Sequence, residues 1–196
     1  MNLNELFKIQ EKLDDWIREG YNLQGVDLLD KKILALQVEL GELANEWRGF
    51  KFWSVDQEPR TEVICRACKG EGEFISGLRT LKQEACRFCD GTGIESNPLL
   101  EEYVDCLHFI LSIGLELRIS EVEIRKISRT DIVFVFNELF EIASKLRSSN
   151  IRTSEYEWLV SEFVKLGEML GFTWEQIAQA YLKKNKINHT RQSEGY

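Results

Sequence analysis

Apolar side chains recur every three or four residues along most of the 196-residue chain, the spacing of amphipathic helices. The first stripe is Leu3, Leu6, Ile9, Leu13, Trp16 and Ile17; it predicts a helix over about 3–19, ended by Gly20. A second helix is expected over about 27–48, with Asp27 as N-cap and Gly49 just past its end. A third covers about 99–118. A short segment opens at Ser120 with Glu123 three residues on, in capping-box spacing. Two more helices follow at about 131–147 and 154–170, the latter closed by Gly171. The last starts at Thr173, with Gln176 as capping-box partner, and runs to about Asn185. The run Ile132-Val-Phe-Val-Phe136 has strand propensity. Its continuation is helical, and no second strand is available to pair with it. The expected fold class is all-α: a helical bundle with one interruption.

The interruption spans about 55–98 and holds both prolines, Pro59 and Pro98, near its ends. Within it lie Cys65-Arg-Ala-Cys68-Lys-Gly70-Glu-Gly72 and Cys86-Arg-Phe-Cys89-Asp-Gly91-Thr-Gly93, two CxxCxGxG units whose CxxC pairs are separated by 17 residues. Four thiolates in two CxxC knuckles suit tetrahedral Zn²⁺ at about 2.3 Å. The glycines permit left-handed turns that aim N–H groups at the sulfurs. Disulfides are disfavoured without a signal peptide, and a redox CxxC lacks a thioredoxin-like βαβ context. Four protein ligands leave no open position, so the zinc is expected to be structural. The repeats resemble the zinc knuckles of DnaJ-type chaperones, a likeness that implies a metal-held fold and no chaperone activity. The expected organisation is a helical domain from 1–54 and 99–196, with 55–98 an inserted zinc-knuckle hairpin. Cys106, outside the module, reads as a small buried apolar side chain.

Two acidic pairs lie in apolar helical stretches: Glu39 with Glu42, and Glu102 with Asp105. Spacing of i, i+3 puts each pair on one helix face. Carboxylates on an apolar stripe are costly to bury unless something positive compensates them. Two facing pairs would form an oxygen cage suited to Mg²⁺, which usually brings phosphates. Each pair alone is more often a solvated helix face. The net charge of −8 offers no basic patch, so no nucleic-acid duplex is expected as partner. No apolar run approaches the length of a membrane span, and the acidic amphipathic N-terminus is no signal peptide. The expectation is a cytoplasmic protein with no membrane partner.

Four segments together resemble the dimeric all-α dUTP diphosphatases (dUTPases), relatives of the MazG-type nucleotide pyrophosphatases. They are Gln10-Glu-Lys-Leu-Asp14; Glu39-x-x-Glu42 with Lys51-Phe-Trp53-Ser; Glu102-Tyr-Val-Asp105-x-x-His108; and Lys184-Asn185-Lys-Ile-Asn188-x-x-Arg191-Gln192-x-x-Gly195-Tyr196. The tail is far more specific than either acidic pair. The resemblance implies that Glu39, Glu42, Glu102 and Asp105 bind two or three Mg²⁺, with Glu42 as general base. It implies that Lys184 and Arg191 hold the phosphate chain, with Asn188 one turn away and Gln192 and Tyr196 in the same substrate-binding tail. Gln10 would read the uracil edge, Lys51 would touch phosphate and Trp53 would stack on the base. Asp14 stands where many relatives carry Asn, and a carboxylate only accepts hydrogen bonds whereas Asn also donates. The zinc module is likewise absent from many relatives. The implied reaction is dUTP + water → dUMP + pyrophosphate, by attack at the β-phosphate, with dUDP also accepted. It would limit uracil incorporation into DNA and supply dUMP for dTMP synthesis. Relatives are homodimers whose C-terminal segment orders over substrate.

Blander readings stand beside these. Lys184, Lys186 and Arg191 suit the end of a helix by charge alone. Trp47 and Trp53 are more often core than base platforms. His108 reads as a satisfied core or supporting histidine rather than a ligand. Two other functions compete: a pyrophosphatase preferring dCTP or a modified pyrimidine, with Asp14 as discriminator, and a non-enzymatic zinc-stabilised helical adaptor.

Overall fold

The computed structural model describes residues 2–76, 82–147 and 153–195. Six helices and four short strands occur among them: α1 (Leu3–Gly20), α2 (Leu29–Trp47), β1 (Val63–Ile64), β2 (Glu73–Ser76), β3 (Lys82–Ala85), β4 (Ile94–Ser96), α3 (Pro98–Glu116), α4 (Ile132–Lys145), α5 (Thr153–Met169) and α6 (Trp174–Ser193). The chain is mostly helical, as the periodicity predicts. The strands pair antiparallel as β1 with β4 and β2 with β3, all within the interruption.

Capping explains most helix ends. Asn2 and Glu5 form a capping box on α1, and Thr173 and Gln176 form the expected one on α6. Asn97 caps α3, with Pro98 in its first turn where a missing N–H costs nothing. α2 departs from expectation at both ends. Leu28 occupies its N-cap, while the Asp27 carboxylate accepts from Leu29 N–H at 2.9 Å. Its end turns at Arg48, not Gly49, with φ at 65°. A side chain is tolerated there because the Arg48 guanidinium is buried against the loop, donating to the Asp56 carbonyl at 2.7 Å and pairing with its carboxylate at 2.9 Å.

α3 is the central helix and contacts α1, α2, α5 and α6. Leu99, Tyr103, Val104, Cys106, Leu107, Ile110 and Leu111 are buried around its circumference. Gly114 and Gly167 admit close tyrosines: a Cβ on Gly114 would lie 2.3 Å from the Tyr156 hydroxyl, and one on Gly167 2.5 Å from that of Tyr103. Ile132–Phe136 is helical, with Val135 and Phe136 buried, so tertiary packing overrides strand propensity.

Two expectations fail. Residues 119–130 form no helix, and Ser120 and Glu123 make no capping box. Ile119 and Val122 reach the core from an irregular path, and Arg125 N–H donates to Ser161 Oγ at 3.0 Å, so no helix is needed to satisfy the segment. α6 continues to Ser193, well beyond Asn185. No glycine or proline interrupts it before Gly195. Lys184 ties it to α3, and His189 packs edge-on against Trp16 of α1, with ring centroids 6.1 Å apart. Most of the tail expected to be mobile is thus helix, and no helix among the described residues is long and apolar enough to cross a membrane.

Candidate active site

α2 and α3 pack side by side and bring the two acidic pairs together. One carboxylate oxygen each from Glu39, Glu102 and Asp105 lies within 4.8 Å of the others, a spacing one divalent cation can bridge. Glu42 is exposed and lies outside this trio, although its charge reaches all three members. Burial pushes the Glu39 carboxyl up to about 7, aided by the charges of Asp105 and Glu42 and opposed by Lys184. Burial likewise carries Glu102 to about 7, with Asp105, Glu39 and Glu42 adding repulsion. Asp105 is raised by burial, against the hydrogen bond and charge of Lys184. Arg191 adds a second positive charge near Asp105, and four acids against Lys184 and Arg191 still leave an excess of negative charge that a hard cation could neutralise.

A cleft of about 340 Å³ opens beside the trio. Glu39, Asp105, Lys184, Asn188 and Arg191 line one end; Gln10, Asp14, Lys32, His108 and Ser112 line the other. Ser112 follows Asp105, and Lys32 precedes Glu39, by seven residues, so the ends are two turns or about 10 Å apart.

The far end is a connected hydrogen-bond network, in which His108 Nε2 is buried without a partner among the described residues. Gln10 Nε2 donates to Asp14 Oδ1 at 2.7 Å. Asp14 can only accept, which fixes the amide orientation and turns Gln10 Oε1 to the other side. There it accepts from the Tyr181 hydroxyl at 2.6 Å and from His108 Nδ1 at 2.7 Å. Nδ1 therefore carries the imidazole proton. Burial, with the charge of Lys184, lowers His108 to about 3 and keeps it neutral, and its ring stacks on Tyr181 at 4.0 Å. His108 is thus buried and held through Nδ1, where the sequence suggested a satisfied core or supporting histidine. Asp14 Oδ2 accepts from Ser112 Oγ at 2.5 Å and Lys32 Nζ at 2.8 Å. Lys32 also reaches Glu116 at 2.6 Å, and Arg18 pairs with the same Glu116 oxygen.

The four module cysteines are buried and free, as a small cluster of their own. Their sulfurs lie within 4.8 Å of one another, with Cys65 and Cys86 at 3.9 Å and Cys68 and Cys89 at 3.7 Å. Ligands at about 2.3 Å from a tetrahedral centre stand about 3.8 Å apart. Gly72 and Gly93 N–H donate to Cys68 and Cys89 sulfurs at 3.2 Å, as the paired glycines predicted. This cluster could hold a zinc ion.

A family model described as dUTPase matches residues 2–68 and 90–196. The chain belongs to the dUTPase family. In this dUTPase-family chain the unmatched residues, 69–89, follow the first CxxC pair and include Cys86 and Cys89 of the second. No curated protein matches the sequence. Membership supports dUTP diphosphatase activity in general and a nucleotide substrate.

Other predicted residues are placed differently. Lys51 and Trp53 lie in the loop after α2, outside the cleft; Lys51 stands over Phe50, and Trp53 is exposed, edge-on to Phe50 and Phe52. Trp47, by contrast, packs against Phe136 at the core. Gln192 is in the last turn of α6 and does not line the cleft, and Tyr196 lies outside the described residues. Sequence reasoning missed Lys32, Ser112, Glu116 and Arg18. A usable signal existed for two of them: Lys32 and Ser112 are polar residues seven positions from Glu39 and Asp105 on the same helix faces.

Proposed function

We propose that this chain is a Mg²⁺-dependent dUTP diphosphatase that converts dUTP, and dUDP, to dUMP, limiting uracil incorporation into DNA and supplying dUMP for dTMP synthesis. The observation carrying this reading is the carboxylate trio at one end of a cleft whose other end is lined by a polar network that a base could meet. Glu39, Glu102 and Asp105, with Glu42 alongside, would hold magnesium, which neutralises phosphate oxygens and acidifies a bound water. Exposed Glu42 is proposed as the base that takes the proton of the attacking water. Lys184 and Arg191 would hold the phosphates where negative charge develops as water attacks the β-phosphate and dUMP leaves. Attack at the β-phosphate rests on the family resemblance. The buried cysteines are proposed to hold structural zinc. A cytoplasmic homodimer with no nucleic-acid partner completes the reading. Exposed Leu34 and Val38 on α2, and Phe52, Trp53 and Val55 beyond it, are apolar surface a second copy would cover. Lys51 and Trp53 would then address the partner's cleft.

At the base end, an ionised Asp14 has about four acceptor positions. Gln10, Ser112 and Lys32 fill three, leaving one for a base N–H. Uracil N3–H fits, and so does the amino group of cytosine, which keeps a dCTP pyrophosphatase as the second reading. Pyrophosphate release from each common dNTP, with and without Mg²⁺, decides. The expected result is Mg²⁺-dependent release with dUTP the best substrate. A dCTP preference would select the second reading, and no release from any dNTP would leave only the zinc-stabilised adaptor.

The network makes Asp14→Asn more damaging than the family pattern suggests. Three donors converge on the carboxylate, so an amide NH₂ must oppose one of them and leave it unpaired, at about 1–3 kcal/mol. The expected result is a KM for dUTP raised about tenfold or more with kcat little changed. An unchanged KM would show that Asp14 lies off the substrate path.

A further inference from the structure

Arg60 joins two helix ends. Its N–H donates to the Glu46 carbonyl at 3.0 Å, and its own carbonyl accepts from Leu99 N–H at 3.1 Å. Glu46 O is among the last carbonyls of α2 and Leu99 N–H among the first donors of α3, groups that a helix cannot satisfy internally. The Arg60 guanidinium adds a bond to Glu46 Oε1 at 3.2 Å. Both attachment points lie one turn from the acidic cluster: Glu42 is four residues before Glu46, and Glu102 three after Leu99. One residue therefore ties the C-terminal end of α2 to the N-terminal end of α3.

The cysteine module grips this splice from both sides. β1 begins three residues after Arg60, β4 ends three residues before Leu99, and Val63 pairs with Ser96. Cys65 N–H donates to the Gly93 carbonyl at 2.9 Å, joining the first knuckle to the second. The module's cysteines form their own cluster, and it contributes no buried apolar residue to the main core among the described residues. Two short hairpins of this kind do not hold themselves together in water.

We propose that the zinc module acts through Arg60 as a positioning device for the acidic cluster: zinc at the four cysteines holds the splice, and the splice raises the cluster's affinity for a divalent cation. This rests on the proposed metal reading of both clusters. Without zinc, the insertion becomes a long floppy loop that no longer presents Arg60 to the two helix ends. The apolar packing of α2 on α3 is independent of the module, so the helices persist.

The test is Mn²⁺ affinity of the full chain, read by electron paramagnetic resonance in the absence of nucleotide. A Cys86→Ser, Cys89→Ser variant purified without zinc should bind Mn²⁺ about tenfold more weakly than the zinc-loaded chain, the usual scale for lost support of metal ligands. Its helical circular dichroism should be nearly unchanged. Replacing residues 65–93 by an Asn-Gly turn, which joins β1 to β4 directly across the Ile64–Ile94 pair, should restore affinity without zinc because it keeps Arg60 in place. Arg60→Pro, which deletes the N–H, should cost as much as zinc loss and add nothing to it. Zinc-free protein with undiminished Mn²⁺ affinity, or a turn variant as weak as the zinc-free chain, overturns the coupling. A zinc-loaded chain that binds no Mn²⁺ sinks the magnesium reading itself and the coupling with it.

Discussion

Glu102→Gln is expected to cut dUTP turnover about a thousandfold while raising the melting temperature of the metal-free protein at pH 8. The two effects have one cause. Glu102 shares a half-buried site with Glu39 and Asp105 and feels Glu42 as well; burial and these charges together hold its carboxyl near 7. At pH 8 the group is ionised and repels its neighbours, so a neutral amide of the same shape relieves the metal-free fold. The same repulsion is what a divalent cation discharges, so the variant loses the ligand that the reaction needs. This is stability held down for the sake of function. Glu42→Gln should lose turnover to a similar degree, yet keep Mn²⁺ affinity within a few-fold, because Glu42 stands exposed beside the trio. Steady-state kinetics, thermal melts in chelator and Mn²⁺ titration separate the two variants. A Glu102→Gln chain that melts lower than wild type would contradict the repulsion argument.

The helical stripes, the cysteine knuckles and the acidic pairs were legible because each is a short-range pattern with a fixed period. α1 and α3 follow the apolar spacing closely, and the two capping boxes with glutamate or glutamine at the third position form where a polar cap meets an apolar run. The 120–130 segment misled for the opposite reason. Its Ser-x-x-Glu spacing is a helix start only if a helix follows, and the core accepts Ile119 and Val122 without one. The end of α6 was missed because its support is tertiary, from Asp105 and Trp16, residues distant in sequence. The site was legible in the same uneven way. The carboxylates could be placed on helix faces, and their meeting followed from helix packing. The Asp14 network could not be read, because it assembles Gln10, Lys32, Ser112 and Tyr181 from four helices. Nor could the position of Lys51 and Trp53, which depends on how Arg48 bends the loop after α2.

Metal affinity is expected to climb by about a hundredfold between pH 6 and pH 8, by competition with two protons. Glu39 and Glu102 are raised from 4.5 to about 7, by burial first and then by their acidic neighbours. An acid with a raised pKa in the folded state holds its proton more tightly there than when unfolded. The metal-free chain therefore loses stability as pH rises from about 4.5 through 7, the reverse of a carboxylate held low by an ion pair. A cation changes the balance, because it binds the ionised form and must displace whatever protons remain. Near pH 6 both groups are mostly protonated, and near pH 8 mostly ionised, so each contributes up to about tenfold. His108 adds nothing in this window, since burial and Lys184 hold it near 3. Calorimetric Mn²⁺ titrations in buffers of different ionisation enthalpy count the protons released. Close to two at pH 6 and few at pH 8 are expected for the wild type. Glu102→Gln should release about one fewer and flatten the climb to about tenfold. An affinity that does not change between pH 6 and pH 8 would mean that these carboxylates are already ionised at pH 6. In that case the cluster holds its charge by some means other than the buried, mutually repelling arrangement of Glu39, Glu102 and Asp105.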